Sequence, residues 1–103
     1  MSILRGTTPT VTMTLPVDID LDGATVAYMS FGQGEEEEKF SVPISRLTLS
    51  DNVATAFLSQ EETLKLDARV KTEIQLRWVK AGVAYGTKIV KVPTDAIVKD
   101  GVI

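Results

Sequence analysis

The 103-residue chain is 44% apolar and 24% charged, has a formal net charge of −3, and contains no His and no Cys. That balance belongs to one folded domain with a single core. It excludes imidazole proton shuttles, thiol nucleophiles and disulfides. A net acidic chain is also a poor phosphate binder, because nucleic-acid affinity needs clustered Lys and Arg.

No apolar run approaches the roughly 20 residues that cross a bilayer. Met1–Arg5 lacks the charged start and long apolar stretch of a secretory signal. Neither a membrane nor nucleic acid is therefore expected as a partner.

Gly6-Thr7-Thr8-Pro9 reads as a strand entry, because proline fixes φ and lacks a donor. Over Thr10–Leu15 the side chains alternate: Val11, Met13 and Leu15 inward, Thr10, Thr12 and Thr14 outward. Pro16 stops this strand. Asp18, Asp20 and Asp22 then alternate with Ile19 and Leu21, which puts the acids on one wet edge if the segment is extended. Asp22-Gly23 supplies a turn. Ala24–Phe31 is apolar on both sides, the mark of a central strand.

Gly32–Glu38 is the longest polar interruption. A strand from Lys39 to Val42 follows, then a short one around Leu47 and Leu49, a turn at Ser50–Asn52, and a strand over Val53–Leu58. Ser59-Gln60-Glu61-Glu62 matches a capping box, in which the Ser hydroxyl and Glu carboxylate satisfy each other's backbone donors. Thr72–Val79 has the clearest period of two, with Thr72, Ile74, Leu76 and Trp78 on one face. Ala81-Gly82 turns the chain, and Tyr85–Val92 returns as its hairpin partner.

This spacing predicts an all-β, immunoglobulin-like antiparallel β-sandwich of about six or seven strands with one short helix. Residues 1–93 form the sandwich. Residues 94–103 are expected to be a flexible tail, ordered only against a partner, whose deletion leaves the fold cooperative.

Constellations with chemical potential are few. Glu35–Glu38 are consecutive and point in alternating directions, so they do not form the shell of six or more oxygens that Ca²⁺ or Mg²⁺ requires; a solvated hairpin tip is the expectation. With no His, a serine nucleophile would need Lys as its base, and no Ser-x-x-Lys pattern occurs. The expectation is no enzyme, no cofactor, no catalytic residue and no metal. Trp78 is assigned to the core by its register with Ile74 and Leu76, and Tyr85, beside a turn, to a surface contact.

Residues 1–62 carry ten acids and three bases, residues 63–103 eight bases and four acids. Chance and pairing between neighbouring strands are the favoured explanation of that asymmetry; the sharper alternative is charge attraction in a head-to-tail subunit contact, which closes a ring or extends a filament.

Leu4-Arg5-Gly6-Thr7-Thr8-Pro9-Thr10 with the Thr-alternating strand, Phe57-Leu58-Ser59-Gln60-Glu61-Glu62-Thr63-Leu64-Lys65-Leu66, and Glu73–Trp78 together resemble a family of small β proteins encoded by bacteriophages and prophages. The layout is more weakly similar to the N-terminal domains of baseplate upper proteins. The resemblance covers roughly residues 4–92 and implies a non-enzymatic virion component of the tail or baseplate. It further implies a chain made in the bacterial host cytoplasm that works through contacts with other virion proteins or as a homo-oligomer. The interface residues expected are Thr10, Thr12, Thr14, Tyr85, Ile97, Val98, Val102 and Ile103. The alternative is a glycan-binding module for a bacterial surface, with exposed aromatics as its platform.

Overall fold

A computed structural model describes all residues, Met1–Ile103. Its strands are β1 (Ile3–Leu4), β2 (Thr10–Thr14), β3 (Val26–Gln33), β4 (Glu37–Pro43), β5 (Leu47–Ser50), β6 (Val53–Phe57), β7 (Thr72–Lys80), β8 (Val83–Gly86), β9 (Val90–Val92) and β10 (Thr94–Asp95). A single helix, α1 (Gln60–Leu64), and a 3₁₀ turn at Ile44–Arg46 complete the chain. The molecule is an all-β sandwich: an antiparallel three-stranded sheet, β2-β6-β5, and a larger antiparallel sheet, β4-β3-β7 with β8 and β9 both paired to β7.

The period of two explains which side chains meet. Val11 and Met13 of β2, Ala54 and Ala56 of β6, and Leu47 and Leu49 of β5 share the inner face of the smaller sheet. The larger sheet contributes Ala27, Met29 and Phe31 of β3, Val42 and Phe40 of β4, and Ile74, Leu76 and Trp78 of β7. Small alanines on the central strand of one sheet and large rings on the other satisfy the roughly constant packing density of protein interiors. Phe31 stacks on Phe40 at 4.7 Å.

Turns follow the residues that tolerate positive φ. Ala81 (φ 51°) and Gly82 (φ 77°) form a two-residue hairpin loop between β7 and β8, the geometry that matches strand twist. Gly32 is needed for a different reason. The β3–β4 register shifts between Phe31 and Gly32, and a Cβ at Gly32 would lie 2.8 Å from the Glu37 carbonyl oxygen.

The capping box forms as the sequence expects. Ser59 Oγ accepts from the Glu62 N–H at 3.1 Å, and the Glu62 carboxylate accepts from the Ser59 N–H at 2.9 Å. The central position of β3 also holds, but its second apolar side is uncovered. Val26 and Tyr28 lie exposed on the outer face of the larger sheet.

Three expectations change. The Tyr85–Val92 strand is two strands, because Thr87 breaks it: its hydroxyl accepts from the Leu76 N–H and its carbonyl accepts from the Gln75 amide. Asp18–Asp22 is a turn-rich loop, not an extended edge, although Leu21 is buried as expected.

The tail is tied down without any partner. β10 pairs with β1 in parallel, beyond the boundary read at residue 93. Thr94 is buried, and its hydroxyl bonds that of Thr72 at 2.6 Å. Deletion from Thr94 onward would therefore orphan buried groups and strip the β1 pairing, instead of leaving the fold intact.

Candidate functional site

Each Thr of β2 faces solvent, and each carries its free backbone groups to the sheet edge. β2 pairs with β6 in the register Val11↔Ala56 and Met13↔Ala54. On either side of this ladder, the Leu58 N–H donates to the Pro9 carbonyl and the Leu15 N–H donates to the Asn52 carbonyl. Hydrogen-bonded pairs alternate with non-bonded ones in an antiparallel ladder. Val11 and Met13 therefore spend their N–H and C=O groups on β6, while those of Thr10, Thr12 and Thr14 point outward. No strand lies on that side of β2.

The strands of this sheet carry no charge, although Met1 and Lys91 border the groove beneath the edge. β2, β5 and β6 contain no acidic or basic residue. Their outer face consists of Thr10, Thr12, Thr14, Thr48, Ser50 and Thr55, interrupted by the half-buried Val53 and by Phe57, which is 66% exposed. Beneath the edge lies a groove of about 550 Å³ between β2 and β9, lined by Val11, Met13, Ile74, Val90 and Val92. Lys91 also borders it and is answered within the chain by Glu73 at 3.8 Å.

The other expected contact residues divide. Ile97 is half-buried; its Cδ1 lies 2.8 Å from where a Cβ on Gly6 would sit, so it packs against the body. Val98, Val102 and Ile103 are exposed. The Ile103 N–H and carbonyl bond the Gln60 side chain at 2.8 and 3.3 Å, which fixes the end of the chain beside α1. Tyr85 is 46% exposed and stacks on the buried Trp78 at 5.5 Å, on β8 of the other sheet from β2. The structure thus gathers Thr10, Thr12 and Thr14 into one surface and leaves Tyr85 and the tail residues apart from it.

The Arg5-Gly6-Thr7 entry has a definite mechanical role. The Arg5 guanidinium donates to the carbonyls of Leu66 (2.6 Å) and Leu64 (3.1 Å), covering acceptors at the end of α1. The Thr63 hydroxyl donates to the Thr7 carbonyl at 2.9 Å. Gly6 adopts φ 71°. This clasp delivers the chain to the start of β2.

Arg46, which the sequence did not single out, grips the capping carboxylate: its two terminal nitrogens donate to both Glu62 oxygens at 2.7 Å. The Arg46 contact, aided by the Ser59 N–H, holds the Glu62 carboxyl below its ordinary value despite burial, which acts the other way. Gln33 was also missed. Its buried amide donates to the carbonyls of Asp67 (2.8 Å) and Val70 (3.1 Å) and accepts from the Asp67 N–H (2.8 Å).

The acidic groups are arranged differently from the sequence pattern. Glu35 and Glu36 sit at the tip of the β3–β4 hairpin with φ of 64° and 73°. Asp20 and Asp22 converge with Asp51, not with Asp18, each offering an oxygen within 4.8 Å of the others. All three are exposed, and three oxygens fall short of a hard-cation shell. The Asp22 N–H and the ammonium of Lys80 hold the Asp20 carboxyl below its ordinary value. Lys80 approaches it at 3.5 Å.

No protein-family model and no curated protein sequence matches this chain.

Proposed function

We propose that this chain is a non-enzymatic structural protein of a phage or prophage particle, of the tail or baseplate, working through protein–protein contacts. The observation that carries the reading is the bare edge of β2. Soluble proteins normally protect a sheet edge with charges, proline, a bulge or a covering element, since unpaired N–H and C=O groups recruit other strands. Thr10–Thr14 has none of these within it. Small, uncharged, hydrogen-bonding threonines on the outer face of such an edge, with Val11 and Met13 on its inner face, favour a close contact with another protein surface.

The resemblance of the Arg5–Thr10 entry and the Ser59–Leu66 segment to phage β proteins supplies the context. Assembly is tested by measuring the mass in solution as a function of protein concentration. Growth beyond one chain, reduced by Thr12→Lys, supports the reading; a single-chain mass throughout, with no capture by virion proteins of the same particle, opposes it.

The glycan-binding alternative has one observation in its favour. The outer face of the larger sheet holds a depression of about 420 Å³ bordered by Tyr28, Arg77, Ser30 and Ser41, an aromatic flank beside polar groups. Tyr28→Ala abolishing retention on bacterial cell-wall polysaccharide would support that reading.

A further inference from the structure

Read outward from Thr12, the β2 sequence is nearly symmetric: Thr10-Val11-Thr12-Met13-Thr14 has Thr at both ends and an apolar residue on each side of the centre. An antiparallel strand of the same sequence, centred on Thr12, sets Thr12 opposite Thr12, Thr10 opposite Thr14, and Val11 opposite Met13. A two-fold axis demands this self-complementarity, because residue i must meet j while j meets i. Parity agrees. Thr10, Thr12 and Thr14 are the residues with outward backbone groups, so in this register all three pairs exchange both N–H···O bonds.

Side chains agree as well. Threonine would face threonine on the outer surface, a favourable cross-strand pair. Val11 and Met13 would meet on the inner surface, over the groove floored by Ile74, Val90 and Val92. No charge is brought against its own copy within the strand, although the chain is acidic overall.

The geometry points to a second copy of this chain as the occupant of the β2 edge, joined antiparallel about Thr12 to make one continuous sheet, β5-β6-β2 followed by the same strands in reverse. This rests on the reading of the chain as an assembly protein and names the partner and register. A short strand and its groove bury less than the ~1,200 Å² of a standard stable interface. The pair therefore dissociates on dilution, and stays closed where neighbours in a larger assembly hold it.

The absence of native cysteine makes the register directly readable. Opposed Cα atoms in a hydrogen-bonded pair lie about 5.5 Å apart, inside the range a disulfide spans. Thr12→Cys alone, Thr10→Cys alone, and an equal mixture of Thr10→Cys with Thr14→Cys are each incubated with oxidised glutathione. The products are separated on a non-reducing gel. All three positions are exposed, and thermal melts of the reduced variants verify the fold.

The expected result is a covalent dimer for Thr12→Cys and for the mixture, formed at least tenfold faster than for Thr10→Cys alone. Equal crosslinking in all samples, or none in Thr12→Cys, overturns the register. If the register fails while the wild-type mass still exceeds one chain, assembly stands and uses another surface. If the wild-type mass is also that of one chain, self-pairing falls; the assembly reading falls with it only if virion proteins of the same particle also fail to capture the chain.

Discussion

The two sheets end in opposite ways. At the edge of the larger sheet, β4 carries Glu37, Glu38 and Lys39, a register shift opposite Gly32, and Pro43 at its end. At the edge of the smaller sheet, β2 carries no charge, no shift and no proline between Thr10 and Thr14. Both present unpaired backbone groups. Only β4 has the features that discourage another strand from adding. The contrast teaches that the chain guards one of these two edges and leaves the other bare, the difference on which the proposed β2 contact rests.

The largest effect should come from proline placed at neighbouring positions of β2. Met13→Pro removes an N–H that the β2–β6 ladder uses, and should unfold the smaller sheet at a cost of about 3 kcal/mol or more. Thr12→Pro removes an N–H that faces the open edge, and proline is tolerated there. It should keep the fold and lose self-association. Thermal melts beside sizing chromatography check this; equal destabilisation by both would contradict the assigned parity.

At the opposite edge, Gly32→Ala drives a methyl into the Glu37 carbonyl. A loss of about 1–3 kcal/mol is expected from this overpacking, seen as a lower urea midpoint with an unchanged slope. No loss would mean that the bulge relaxes freely and does little to shape that edge.

A smaller effect concerns the Arg46–Glu62 grip, which braces the end of β6 against α1. Arg46 also donates to the Phe57 carbonyl at 3.1 Å. Because the Glu62 carboxyl is lowered in the folded state, its contribution is fully present above its unfolded value near 4.5 and fades as pH falls through the folded value. Arg46→Ala should cost about 1 kcal/mol at pH 7, discounted for the half-exposed guanidinium. The difference from wild type should shrink below pH 4 in melts run across pH. A constant difference down to pH 2 would contradict the assignment.

The smallest change in stability, within about 0.5 kcal/mol, is expected from replacing Glu37 and Lys39 together by Thr. Light scattering should nevertheless show new association, because a guarded edge has been stripped. Unchanged mass would show that the bulge alone protects β4.

How much of this could be read from the sequence depends on distance along the chain. The Thr10–Thr14 and Thr72–Val79 alternations, the Ser59–Glu62 capping box and the Ala81-Gly82 turn are local, and local chemistry dictates them. The Arg5 clasp on Leu66 spans 61 residues, and Asp22 meets Asp51 across 29, so neither leaves a sequence pattern. β10 was missed because two residues paired in parallel with two others carry no period. Thr87 split a strand through a side chain that imitates backbone, an event that alternation does not encode.

Within the candidate surface, the outward direction of Thr10, Thr12 and Thr14 was readable from period alone. The bareness of the edge required the sheet order. The packing of Ile97 beside Gly6 leaves no sequence signal, because an apolar residue in a terminal segment looks the same whether or not it touches the body of its own chain.

The most direct measurement is light scattering behind a sizing column over a range of concentrations, at low and high salt, for the wild type and Thr12→Pro. The uncharged β2 contact predicts a wild-type mass rising with concentration toward twice the 11.2 kDa chain mass, undiminished by salt, with Thr12→Pro remaining at one chain. A wild-type oligomer that salt dissolves and Thr12→Pro leaves intact would contradict the account, and would locate assembly in the opposed charges of the two halves of the chain.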